Sequence, residues 1–248
     1  MASYDFSSHR LHVEAPLFDG TRLELTREQA NYLVNVLRLG EGTGFLVFNG
    51  RDGEWRARLS GGSRKAPGVV VDSQTRPQPA SGDLWLLFAP LKAARLDYMV
   101  QKAVEMGVTR LVPVITRRTI ASRVNLDRMR ANVVEAAEQC GILSVPDVGD
   151  DIALPKMLAD WPAARTMIFC DEDAEMQSPI AALAARPKGS PLAVIIGPEG
   201  GFDPAERAEL LALPNHLRLS LGPRILRADT AAVAALTLVQ ATLGDIAG

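Results

Sequence analysis

Two apolar runs in the last quarter of the chain constrain its fold more than any other feature. Leu192–Ile196 breaks straight into Gly197-Pro198-Glu199-Gly200-Gly201, and the alternating Leu217, Leu219 and Leu221 break into Gly222-Pro223. Runs of this length are strands, and strands that stop at glycine and lead into helical spacing are βα units of a mainly parallel sheet. The same rhythm reaches back to residue 84. An apolar strand at 84–89 precedes Leu96, Met99, Val100, Ala103 and Val104, which keep helical spacing up to the helix stop Gly107. A strand at 111–115 precedes a helix capped by Asn125, with Met129, Val133, Ala136, Ala137 and Cys140 as its buried stripe and Gly141 as its end. Strand Thr166–Cys170, a helix at 179–185 and a last helix at about 230–243, capped by Asp229, complete the set.

Before residue 74 the pattern is one of strands. Leu11, Val13, Leu23 and Leu25 alternate with polar neighbours, and Phe45 and Val47 lead through Asn49-Gly50-Arg51-Asp52-Gly53 into the alternation Trp55, Ala57, Leu59. Gly61-Gly62 is expected to close that strand, and Val69-Val70-Val71 to supply another. Helical spacing is confined to 28–39, through Tyr32, Leu33, Val36 and Leu37. This predicts a small β-barrel at 1–76 and an α/β domain at 77–248, joined by the Pro-, Ser- and Gly-rich linker 74–82.

With 248 residues, 47% of them hydrophobic and 23% charged, the chain is long and apolar enough for real cores, which excludes disordered and fibrous classes. No apolar stretch approaches the roughly 20 residues of a membrane span, and the opening ten residues hold no signal core, so a soluble cytoplasmic protein is expected. Cys140 and Cys170 lack the paired spacing of a zinc site and read as small buried hydrophobes, with no metal expected.

The glycine loops are where chemistry is expected. A buried strand that ends in glycines exposes backbone donors and acceptors at the carboxyl edge of a sheet, where α/β proteins bind ligands. Asp203, Pro204 and Glu206 form the capped start of the helix behind the first loop. Neither a dinucleotide fingerprint nor a phosphate loop is present. The second loop, Leu219-Ser220-Leu221-Gly222-Pro223-Arg224-Ile225-Leu226-Arg227, combines an apolar slot suited to an adenine ring with two arginines suited to an anion. A tight turn without a ligand, and solvated surface arginines, are the alternatives. The last helix has almost no polar face, so it is expected to be buried all round, either in its own domain or against a second copy.

The net charge of −2, from 27 basic and 29 acidic residues, argues at first against a nucleic-acid partner. Only five of the 27 basic residues are lysines, however, and arginine suits phosphate and base-edge contacts. Arg110, Arg117, Arg118, Arg123, Arg128 and Arg130 crowd against one local acid, Asp127. Neutrality is therefore expected to average a basic surface against an acidic remainder.

Several blocks, in order, resemble those of the ribosomal RNA small subunit methyltransferase E family. They are Phe88-Ala89-Pro90-Leu91-Lys92, Gln101-Lys102-Ala103-Val104-Glu105-Met106-Gly107-Val108, Glu135-Ala136-Ala137-Glu138-Gln139-Cys140-Gly141, Ile196-Gly197-Pro198-Glu199-Gly200-Gly201-Phe202 and Leu221-Gly222-Pro223-Arg224-Ile225-Leu226-Arg227. Arg10-Leu11-His12-Val13 and Val36-Leu37-Arg38-Leu39 look like the family's N-terminal signature, so the resemblance spans nearly the whole chain.

The resemblance implies a PUA-like RNA-binding barrel followed by a SPOUT-type α/β domain with a parallel sheet and a trefoil knot. It implies a homodimer that methylates uridine N3 in 16S ribosomal RNA, within an assembled small subunit, using S-adenosylmethionine. Carried over by motif, the cofactor lies against Gly197, Pro198, Glu199, Gly200 and Gly201 and against Leu219, Ser220, Leu221, Gly222, Ile225 and Leu226, with Phe169 as a weaker third wall. Arg224 or Arg227 is the expected source of positive charge, and Asp229, or less readily Glu199, the proton acceptor; for Asp229 a helix cap is the alternative. Arg10, Arg38, Arg117, Arg118 and Arg123 are the expected RNA contacts. Ile142 stands where relatives often carry arginine, and Asp229 where they carry the longer glutamate. A SPOUT enzyme acting on another RNA position, and a noncatalytic RNA-binding protein, are the competing readings.

Overall fold

The structure is a computed structural model that describes residues 5, 7–63, 66–120, 123–171, 174 and 178–247. Half of the ten-residue opening stretch read for a signal core, residues 1–4 and 6, lies outside the described residues. No described helix is long and apolar enough to cross a membrane. Two compact units emerge: Met1–Ala80 with Val134–Val145, and Ser81–Val133 with Pro146–Gly248.

In the first unit, strands β1 (Arg10–His12), β2 (Arg22–Leu23), β3 (Gly44–Phe48), β4 (Glu54–Ser63) and β5 (Ala66–Arg76) form one sheet in the order β1-β3-β4-β5-β2. All pairs are antiparallel except β1 with β3. Alternation places Phe45, Val47, Ala57, Leu59, Val69 and Val71 in one core with Leu11, Val13 and Leu33. Gly61-Gly62 does not close β4, which runs on to Ser63 through an irregular register between Leu59 and Gly62. A Cβ on Gly62 would fall 2.4 Å from the Ala66 carbonyl oxygen, so these glycines let the hairpin arms approach across a bulge.

The helix expected over 28–39 is shorter and changes type. Thr26 caps α1 (Arg27–Asn31) in a reciprocal box with Gln29, and the chain continues as a π-helical turn, Tyr32–Val36, closed by the Leu37 amide on the Tyr32 carbonyl. Arg38 follows at φ 56°, a left-handed conformation unusual for a side chain of this size.

The second unit holds β6 (Leu84–Phe88), α2 (Ala93–Glu105), β7 (Arg110–Ile115), β8 (Asp147–Val148), β9 (Ile152–Ala153), α4 (Leu154–Ala159), β10 (Thr166–Cys170), α5 (Pro179–Ala184), β11 (Leu192–Ile196), α6 (Pro204–Leu211), β12 (His216–Leu219) and α7 (Ala228–Leu243). Helix α3 (Leu126–Cys140) is divided between the units. The sheet runs β12-β10-β11-β6-β7-β8, with β9 also on β7, and every pair is parallel, as the sequence rhythm predicted. Strands buried on both faces read as unbroken apolar runs, which is why β11 is all aliphatic. Helix α7 packs on α2, α5 and β11, while Leu154, Met157 and Leu210 of α4 and α6 meet Met167, Phe169, Ala193 and Ile195.

Three local expectations are corrected. Arg227, not Asp229, is the N-cap of α7, and Asp229 sits inside its first turn, where its carboxylate accepts from the Thr230 amide at 2.9 Å. Cys140 is exposed rather than part of the buried stripe of α3, because the stripe ends with Ala136 and Ala137. Cys170 is half-buried at a strand exit, and burial pushes its thiol up to about 12. Within this chain helix α7 leaves one side open: Val233, Ala234 and Leu238 are half-exposed, opposite Ala232, Leu236 and Val239.

Candidate active site

The strand order sets the site. β12, β10 and β11 are neighbours, so the loops that leave their carboxyl ends come side by side. The first loop, after β11, is fixed from several directions. The Gly201 amide donates to the Pro198 carbonyl at 2.9 Å, and Gly201 takes φ 69°. The Phe202 ring lies directly over Gly197, where a Cβ would come within 2.7 Å of it. Phe202 in turn packs edge-on against Phe169, ring centroids 5.3 Å apart. Phe169 is only 1% exposed, so its ring supports this loop from inside the core and forms no open wall.

Helix α6 behind the loop starts with the predicted capping box, Asp203 with Glu206. Glu206 is buried and also accepts from the Arg117 amide at 2.8 Å. The Arg117 guanidinium pairs with Asp203 at 2.9 Å, and Arg118 donates to the Gly200 carbonyl at 2.8 Å. Glu199 is engaged by Arg95 of α2. The segment after β7 is thus tied to the glycine loop by two consecutive arginines.

The second loop, after β12, is open. Gly222 takes φ 95°, and its amide donates to the Ser220 hydroxyl at 3.4 Å. Leu219 is buried, Leu221 and Leu226 are half-buried, and Ile225 is fully exposed. A bare isoleucine at the carboxyl edge of a sheet leaves apolar surface in water that a flat apolar ring would cover. Arg224 and Arg227 flank it, exposed and, among the described residues, without an ion-pair partner. A cavity of about 140 Å³ lies beside this loop, lined by Ser178, Pro179, Ala182, Arg218, Leu219 and Ser220.

The sequence reading missed the group that joins these pieces. Asp171, the first residue after β10, is buried and binds Arg207 of α6 at 2.9 Å and Arg218 of β12 at 2.8 Å. One carboxylate at the central strand exit therefore holds the elements that carry both loops. An acid directly after an apolar strand was the available signal, but two arginines 36 and 47 residues away gave no pattern.

The arginine cluster is also redrawn. Arg110 pairs with Asp147 and lies over the Trp85 ring, Arg128 pairs with Asp97, and Arg130 with Asp127 and Asp150. Acids distant in sequence thus neutralise most of the run, leaving Arg118 and Arg123 without a carboxylate partner among the described residues. Arg10 is corrected as an RNA contact: it is buried and bound to Glu54 at 2.9 Å. Arg38 is exposed. Among the described residues no cluster of three or more His, Cys, Asp or Glu could hold a metal.

The RNA methyltransferase domain family matches residues 78–240, and the RNA methyltransferase PUA domain family matches residues 25–71. Ribosomal RNA small subunit methyltransferase E of Rickettsia conorii is 30% identical over 94% of this chain and 95% of its own length. The Bacillus subtilis protein of the same name is 29% identical over 92% of this chain and 91% of its own. The crystal structure of the Neisseria gonorrhoeae methyltransferase of that name, bound to S-adenosyl methionine, superposes with a TM-score of 0.84 at 26% identity, covering 94% of this chain and 97% of that one. A putative methyltransferase from Legionella pneumophila, in complex with the same cofactor, superposes at 0.82 with 28% identity over 96% and 99%. With the RNA methyltransferase domain family matched over residues 78–240 and a relative of that name 30% identical over 94% of the chain, the chain belongs to the ribosomal RNA small subunit methyltransferase E family.

Proposed function

We propose that this chain transfers a methyl group from S-adenosylmethionine to N3 of a uridine in 16S ribosomal RNA of the small subunit. The observation that carries this is the second loop: fully exposed Ile225 between Arg224 and Arg227, beyond the exit of β12, which one strand, β10, separates from β11 and its Gly197 loop. The cofactor's adenine is assigned to Leu221, Ile225 and Leu226, with backbone groups of Gly197–Gly201 and Gly222 reading its polar edge. Bound there, it supplies an electrophilic methyl on a sulfonium sulfur.

The chain's own part is positioning and charge. N3 must lie in line behind the methyl carbon, so that its electron pair forms the N–C bond while the C–S pair returns to sulfur. The N3 proton leaves to a base, and negative charge spreads to O2 and O4. Arg224 or Arg227 stabilises that charge, and Asp229 takes the proton. Glu199 is the poorer acceptor because Arg95 already holds it.

The reading includes the trefoil-knotted backbone of the SPOUT class in the domain 77–248, a PUA-like RNA-binding domain at 1–76, a cytoplasmic enzyme and a homodimer. The half-exposed Val233, Ala234 and Leu238 of α7 support the last of these, since a second copy would cover them. The test is to methylate small subunits from a strain lacking this protein with labelled cofactor and map the product by mass spectrometry. Label at N3 of one 16S uridine is expected. Label on a ribose or another base, or no transfer, would overturn the reading.

A further inference from the structure

A second cleft, of about 330 Å³, opens on the other side of the glycine loop. It lies outside the carboxyl ends of β6, β7 and β11. From β6 the chain passes through α2 to β7 on one side, and from β11 it passes through α6 to β12 on the other. Neighbouring parallel strands whose connections leave in opposite directions open a crevice between them, the position where α/β sheets take ligands. Of the two strand-exit loops assigned to the cofactor, this crevice touches only the first, at Pro198 and Glu199.

Its chemistry differs from that of the Ile225 loop. Pro90, Leu91, Ile120 and Pro198 give it apolar walls, and Lys92, Arg118 and Arg123 give it three cations. Its single carboxylate, Glu199, is paired with Arg95. Ile120 stands 74% exposed in this wall, next to cations that no acid among the described residues neutralises. Apolar surface rimmed by cations suits a planar base with its flanking phosphates.

We propose that this cleft docks the RNA beside the uridine that is methylated: a flanking base lies against Ile120 and Pro198, and Lys92 and Arg123 hold the phosphates on either side of it. Arg118 serves both ligands, since it forms part of the cleft while bound to the Gly200 carbonyl of the cofactor loop. This inference rests on the proposed activity and adds the substrate's place to it.

The test measures labelled methyl transfer to small subunits at several salt concentrations for the whole chain and for Ile120→Asp, Lys92→Ala, Arg123→Ala and Arg123→Lys. Adenosylhomocysteine affinity is measured alongside by calorimetry. Ile120→Asp is expected to raise the subunit KM about tenfold or more, by placing an anion beside phosphate. Lys92→Ala and Arg123→Ala each weaken subunit binding and lower its salt slope by about one, and Arg123→Lys restores most of the loss. Cofactor affinity is expected to stay that of the wild type. Unchanged subunit KM and salt slopes overturn the dock while the proposed activity stands, and a loss of cofactor affinity in the same variants reassigns the cleft to the cofactor. A wild-type chain that binds adenosylhomocysteine but labels no subunit overturns the activity and the dock with it.

Discussion

Arginine does opposite work in the two units. In the first unit, Arg10 and Arg76 bury their guanidinium groups against Glu54, which is itself only 1% exposed. Arg76 binds both Glu54 oxygens, at 3.0 and 2.6 Å, and donates onward to the Gly141 carbonyl at 2.9 Å. In the methyltransferase unit, Arg118, Arg123, Arg224 and Arg227 stand exposed around two loops. A buried ion triad resists disruption because removing one member leaves uncompensated charge in a poorly solvated place. An exposed arginine contributes little to stability and keeps its donors for a ligand. The same residue type is thus framework in one unit and recognition surface in the other, and solvent exposure separates the roles.

The largest effect that would break this contrast is on stability. Glu54→Ala should cost about 3–5 kcal/mol, because it strands two buried guanidinium groups; urea unfolding measures it, and a loss below about 1 kcal/mol would mean the triad is not framework. Arg227→Ala should leave the urea midpoint unchanged while slowing single-turnover methylation about 10²- to 10³-fold, the scale of removing one preorganised donor. If it unfolds the chain instead, the contrast fails from the other side. Between these lies Gly197→Ala. Its Cβ must push the Phe202 ring off the loop, at about 1–3 kcal/mol, read as weaker adenosylhomocysteine binding by calorimetry.

The smallest effects are in the pH dependence of the first unit. Burial raises the pKa of Glu54, but hydrogen bonds from Arg76, Arg10 and Thr75 outweigh it and hold the carboxyl below its ordinary value. Its contribution to stability is full above the ordinary carboxylate range and is lost as pH falls through the lower folded value. Glu138 has the opposite sign. Burial pushes it up, the His12 amide pulls it down less, and nearby Glu135 raises it further. Its charged form is a cost that disappears as pH falls through the raised folded value, so Glu138→Gln should flatten the acid side of the stability curve in that window. A pH titration of unfolding free energy that is unchanged by the substitution would remove Glu138 from the account.

How far the sequence could be read depends on the range of each signal. The parallel sheet, the Asp203–Glu206 box and the stop at Gly107 were legible because each is written within a few neighbouring residues. The π-helical turn at Tyr32–Val36 was not, since its spacing is close to that of an α-helix and it is told apart by backbone bonds such as that from Leu37 to Tyr32. Asp229 reads as a cap and is not one, because α7 begins two residues earlier than its apolar pattern. Phe169 reads as a wall and lies in the core, because the face a strand residue presents follows from the pleat and its neighbours rather than from position in a motif.

By itself, then, the sequence determined the alternation of strands and helices beyond residue 84 in its main elements and the two glycine loops, since periodicity and turn chemistry act locally. It also held the family resemblance, in the order of its motifs. The tertiary structure alone decided which charges meet. Arg110, Arg128 and Arg130 look like a basic run until Asp147, Asp97 and Asp150 reach them from other elements, and Arg10 looks like an RNA contact until Glu54 buries it. Coulomb attraction and burial depend on distance through space, and along the chain Arg10 and Glu54 are 44 residues apart.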